Sequence, residues 1–114
     1  MNPTNAKGAI TLQAERIARE FAEDLRKSLG ARVRQILLYG SRARGDAREG
    51  SDYDMLVVVD RRTPEVRSSV LEVERRLMDR YSVLIATVLR SEEEWRDSQG
   101  FPFARNIARE SVPL

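Results

Sequence analysis

The chain contains neither cysteine nor histidine. Their absence excludes disulfides, thiolate nucleophiles, Ser-His-Asp triads, histidine acid–base chemistry and the usual zinc centres. Any metal must be held by oxygen ligands, which favours magnesium, calcium or manganese. No stretch approaches the ~20 apolar residues of a membrane span. The first ten residues, MNPTNAKGAI, lack the apolar run of a secretory leader, so a cytoplasmic location is the expectation. Aromatic residues make up only 6% of the chain, too few for a convincing base-stacking platform. Lysine is scarce too, since 18 of the 20 basic residues are arginine. Against 18 acidic residues these leave a net charge of only +2, which does not by itself mark a nucleic-acid binder. A basic RNA- or DNA-binding domain is motivated by the arginine count alone.

What is present suits a packed α/β domain. The 114 residues make one domain, 1–114, with 41% hydrophobic and 33% charged residues. A domain this small buries only about two thirds of its unfolded surface, which leaves room for a partner to cover more. Residues 1–9 are polar and expected to fray. Ile10, Ala14, Ile17, Phe21, Leu25 and Leu29 step by three or four, predicting an amphipathic helix over residues 10–29 that Gly30 stops. Residues 33–39 and 53–59 read as strands with buried apolar runs. Thr63-Pro64 is a cap followed by proline in the first turn, opening a helix to about Arg80. Residues 82–89 read as a third strand. Ser91 and Glu94 form a capping box for a short helix carrying Trp95, and a last short helix is expected over 103–110. The expected fold is a small mixed sheet of about three strands flanked by helices.

The chemistry concentrates between the first two strands. Gly40 lets the backbone bend tightly and lets a ligand approach without a β-carbon in the way. Ser41 adds a hydroxyl and a backbone N–H. The residues behind them can start a helical turn whose free N–H groups favour phosphate. Arg42 and Arg44 supply fixed positive charge nearby. Asp52 and Asp54 are two apart at the entrance of a strand, so their side chains project from one face, about 6–7 Å apart at Cα. Two such carboxylates repel each other unless a divalent cation lies between them. Magnesium is commonly held by one or two carboxylates with phosphate and water oxygens, so the pattern suggests metal-assisted nucleotidyl transfer. Taken singly, a Gly-Ser bend is commonly just a turn, an Asp-x-Asp pair a solvated strand edge, and the RARGDARE run a charged loop. Their combination at this spacing carries the signal.

Tyr39-Gly40-Ser41, ten intervening residues, then Asp52-Tyr53-Asp54-Met55 in an apolar strand resembles the signature of the DNA polymerase β-like nucleotidyltransferase superfamily. The fuller string GSRARGDAREGSDYDMLV is similar to the minimal nucleotidyltransferases, short prokaryotic proteins of about this length. The resemblance implies that Gly40 and Ser41 hold the β- and γ-phosphates of a nucleoside triphosphate, with Arg42, and more weakly Arg44, assisting. Arg44 has an alternative as an ion-pair partner of Asp46 or Glu49. It implies that Asp52 and Asp54 are catalytic and bind Mg2+, or Mn2+ in its place. It also implies a helical partner of the HEPN type in a toxin–antitoxin arrangement, with AMP from ATP transferred to a partner tyrosine; a homo-oligomer is the other partner expectation.

The superfamily usually carries a third carboxylate on the later strand, and residues 82–89 hold none. Leu84 or Ala86 is expected in its place. General-base assistance is typically worth 10²–10⁴-fold, so its loss slows transfer without abolishing nucleotide binding. The alternative is therefore a catalytically weak, antitoxin-like subunit that binds nucleotide and a helical partner. Trp95, Phe101 and Phe103 beside Arg96 and Arg105 pack short helices onto the sheet, or else form an apolar patch that docks such a partner.

Overall fold

A computed structural model describes residues 10–114; the segment expected to fray, residues 1–9, lies outside the described residues. Helix α1 spans Leu12–Leu29. It starts two residues later than the periodicity predicts because the Thr11 side chain caps it, accepting the Ala14 N–H at 3.1 Å. A 3₁₀ turn over Gly30–Arg32 leads into strand β1, Val33–Tyr39. A single helical turn, α2, covers Ser41–Arg44, and strand β2 covers Tyr53–Val59. Helix α3, Pro64–Tyr81, begins behind the Thr63 cap as the sequence predicts.

Strand β3 spans Ile85–Ser91, shifted from the expected 82–89. The shift has two causes. Ser82 takes a left-handed conformation as the C-cap of α3 (φ 54°), so the chain is still turning there. At the other end Arg90 and Ser91 still pair with Val58 and Val59 of β2, so Ser91 closes the strand and caps α4, Glu92–Asp97, at once. Helix α5, Pro102–Glu110, is followed by a two-residue strand β4, Val112–Pro113. That strand raises the expected count of about three to four. It was illegible because two residues, one of them proline, show no alternation, and proline is tolerated on a sheet edge.

The sheet order is β3-β2-β1-β4. β1 pairs antiparallel with β2 and with β4, whereas β3 runs parallel to β2 through the α3 crossover. Each strand presents alternate residues to two faces. Tyr53, Met55, Val57 and Val59 face α1 and α3, where they pack with Ile17, Phe21, Leu25, Val70 and Leu77. Leu37, Leu56 and Val58 face the other way, toward Ile107 of α5 and Trp95 of α4. Edge-to-face contacts from Phe103 to Tyr39 (5.6 Å between centroids) and to Trp95 (6.4 Å) extend this second layer, while Phe101 stays exposed. Helices thus cover both faces of the sheet, an α/β sandwich, and α5 extends to the end where β1 finishes and β2 begins. No helix among the described residues is long and apolar enough to cross a membrane.

Candidate active site

The end of the sheet where β1 finishes is built by one bend. β1 finishes at Tyr39, and Gly40 turns the chain with φ 75° and ψ −160°, a backbone that side-chain-bearing residues rarely adopt. The Gly40 carbonyl then accepts the N–H groups of Ala43 (3.1 Å) and Arg44 (3.0 Å), starting α2. Buried Ala43 anchors that turn, and Gly45, at φ 83°, ends it. The N–H groups of Ser41 and Arg42 open the turn with no carbonyl of their own helix to bond.

β2 brings the carboxylates to this bend. Asp54 lies directly across from Tyr39 in the antiparallel register. A β-carbon built on Gly40 would lie 2.3 Å from Asp54 Oδ2, so only glycine allows the carboxylate to rest against the bend. Asp52 is exposed, one residue before the strand, where the Tyr53 N–H donates to the Leu84 carbonyl at 2.8 Å. Burial raises the Asp54 carboxyl above the ordinary aspartate value, and the negative charge of Asp52 raises it further; Arg44 acts in the opposite sense. Gly40, Ser41, Asp52 and Asp54 are thus gathered at one place. Tyr53 points into the opposite layer and is fully buried there.

The two arginines have different surroundings. Arg42 donates from Nε (3.3 Å) and Nη2 (3.0 Å) to the Ser51 carbonyl, and its guanidinium stacks 4.5 Å from the centre of the Tyr53 ring. It fastens the loop that delivers Asp52. Arg44 pairs with Asp46 (3.2 Å) and with Glu110 (3.2 Å), and Glu49 is not among its partners.

Glu110 was missed in the sequence. Its Oε2 accepts the Gly40 N–H at 2.8 Å. The residue reaches the bend because β4 pairs Val112 with Leu38, drawing the end of α5 across β1. The only signal was an acidic residue at the end of a helix, just before a short apolar tail, and nothing local joins it to Gly40. The strand that usually carries a third carboxylate places Ala86, exposed, beside Asp54 in the parallel register. Among the described residues no three acidic side chains cluster closely enough to hold a metal by themselves.

The family described as "Nucleotidyltransferase domain" matches residues 18–114. The chain is 32% identical over 103 residues to a Methanocaldococcus jannaschii protein named "Putative protein adenylyltransferase MJ0604", covering 90% of this chain and 99% of that one. A solved structure described as a "putative minimal nucleotidyltransferase" superposes with a TM-score of 0.59 at 24% identity, covering 89% of this chain and 95% of that one. A complex of tri-AMPylated Shewanella oneidensis HEPN toxin with MNT antitoxin gives a TM-score of 0.55 at 13% identity, covering 88% of this chain and 70% of that one. The match runs over most of the length: this chain belongs to the nucleotidyltransferase domain family.

Proposed function

We propose that the protein transfers AMP from ATP to a hydroxyl on a helical partner protein of the HEPN type, with Mg2+ held by Asp52 and Asp54. The observation that carries this reading is the contact of Asp54 with Gly40, which joins the carboxylate pair to the bend. The donor set fits the ion. Asp52 and Asp54 offer hard oxygens whose mutual repulsion a divalent cation relieves; burial foremost, and the Asp52 charge after it, holds the Asp54 carboxyl above the ordinary aspartate value. Manganese suits the same oxygen set. When bound, the ion supplies charge neutralisation and Lewis acidity at the reacting phosphate.

The residues of the chain do the rest. The Ser41 hydroxyl and the N–H groups of the bend orient the β- and γ-phosphates, and Arg44 lies alongside as a countercharge. Arg42 keeps Ser51, and with it Asp52, in place. The acceptor oxygen bonds to the α-phosphorus, the bond from that phosphorus to the bridging oxygen breaks, and pyrophosphate leaves with the electron pair. The acceptor proton passes to water, since Ala86 offers no base beside Asp54.

A second reading is favoured by the same alanine: a subunit that binds nucleotide and a helical partner with little turnover, acting as an antitoxin by occupancy. One assay separates the two. The protein is mixed with a HEPN-type partner, Mg2+ and ATP labelled at either the α- or the γ-phosphate. Transfer puts α-label and no γ-label on the partner, and Asp54→Asn removes it. A stable complex without α-label, unaffected by Asp54→Asn, upholds the second reading.

A further inference from the structure

Glu110 occupies groups that the nucleotide also needs. Its Oε2 takes the Gly40 N–H at 2.8 Å, and both carboxylate oxygens lie 3.2 Å from Arg44 Nη1. These are one backbone donor at the bend and the cation beside it, the pair of features that suits a phosphate oxygen. The backbone position of Glu110 is fixed from both sides. It ends α5, whose Ile107 is buried against the sheet, and it precedes β4, where the Leu114 N–H bonds the Ile36 carbonyl at 3.0 Å. Only its side chain is free to move, and that side chain is 22% exposed. The Gly40 nitrogen and the β-carbon position share one α-carbon and lie about 2.5 Å apart, so the Glu110 and Asp54 carboxylates approach within about 8 Å. A triphosphate entering this space while Glu110 stays would meet a second full negative charge at hydrogen-bond range of its own donors.

We infer that Glu110 is an internal anion that competes with the polyphosphate for the Gly40 N–H and Arg44, so that triphosphate binds, and pyrophosphate leaves, by exchange with this side chain. The inference rests on the reading of the Gly40–Ser41 bend as the phosphate seat. No bond is made or broken in the exchange: the carboxylate rotates away as a phosphate oxygen takes its donors, and returns as pyrophosphate departs. Glu110 thereby sets the affinity for the β- and γ-phosphates and leaves recognition of the nucleoside untouched.

The test is calorimetric titration of the full chain with Mg·ATP, Mg·pyrophosphate and AMP, for wild type and Glu110→Gln. Glutamine keeps the shape and an acceptor for the Gly40 N–H but removes the charge. ATP and pyrophosphate should bind about tenfold tighter to the variant, the worth of one charge-assisted hydrogen bond. AMP, which lacks the competing phosphates, should bind equally to both proteins. Glu110→Ala, with its melting temperature recorded, should shift the affinities the same way. Equal or weaker binding of ATP and pyrophosphate by Glu110→Gln overturns the competition while leaving the phosphate seat standing. Failure of wild type and variant alike to bind either polyphosphate brings down the seat and this inference together.

Discussion

Asp54 and Gly40 fit together as a carboxylate and the hole it needs: Oδ2 lies 2.3 Å from the point where any β-carbon on residue 40 would be. The glycine is required twice, by this contact and by its φ of 75°. Gly40→Ala must therefore push Asp54 aside and strain the bend. The expected outcome is a loss of about 1–3 kcal/mol in stability, the usual cost of forcing such a backbone, together with at least ~100-fold loss of transfer. Thermal melts and a labelled-ATP assay measure both.

The raised Asp54 carboxyl has a stability consequence with a definite sign. A folded-state value above the unfolded one means that the folded protein holds this proton more tightly, so the ionised group opposes folding near neutrality. That cost disappears as pH falls through the raised value. In metal-free buffer at pH 7, Asp54→Asn should raise the melting temperature by about 2–4 °C while abolishing activity. The gain should vanish below about pH 4, where an ordinary aspartate is itself protonated. Metal binding by the wild type should weaken at a higher pH than for an unperturbed aspartate.

Arg42 is expected to behave as a fastener of the acidic loop. Arg42→Ala removes two donors from the Ser51 carbonyl and the stacking on Tyr53. It should cost about 1–2 kcal/mol. Arg42→Lys should not restore it, because an ammonium cannot stack flat and fork at once. Urea melts give the stability, and a rise in the Mg2+ concentration needed for half-maximal transfer reports the displaced Asp52.

Ala86 stands beside Asp54 in the register and is exposed, with space for a longer side chain. Ala86→Asp supplies a carboxylate to take the acceptor proton. Turnover should rise by ~10-fold or more, the low end of general-base assistance after allowance for imperfect placement. A kcat measurement at saturating ATP and partner checks it.

Much of the arrangement was readable in the chain before the fold was known. The bend and the acidic pair were legible because Gly40, Ser41, Asp52 and Asp54 lie at the two ends of one short excursion, and local geometry brings such ends together. The stripes on α1 and α3 were legible because Ile17, Phe21, Val70 and Leu77 recur at helical period. Glu110 was not, since its approach to Gly40 depends on a 70-residue separation closed by a two-residue edge strand. The ends of β3 were misplaced because Ser82 can adopt a left-handed cap and Ser91 serves as strand end and helix cap together. Hydropathy distinguishes neither. The role of Arg42 was equally hidden, because its partners, the Ser51 carbonyl and the Tyr53 ring, are defined by backbone direction rather than by residue type.

The central claim is that Asp52 and Asp54 bring a divalent cation to the Gly40–Ser41 bend and thereby bind a triphosphate. Equilibrium titration of a non-hydrolysable ATP analogue, with and without Mg2+, into wild type and into the Asp52→Asn/Asp54→Asn double variant tests it most directly. The expected result is strong Mg2+ dependence in the wild type that disappears in the folded double variant. Equal affinity with and without Mg2+, the same in both proteins, would contradict it.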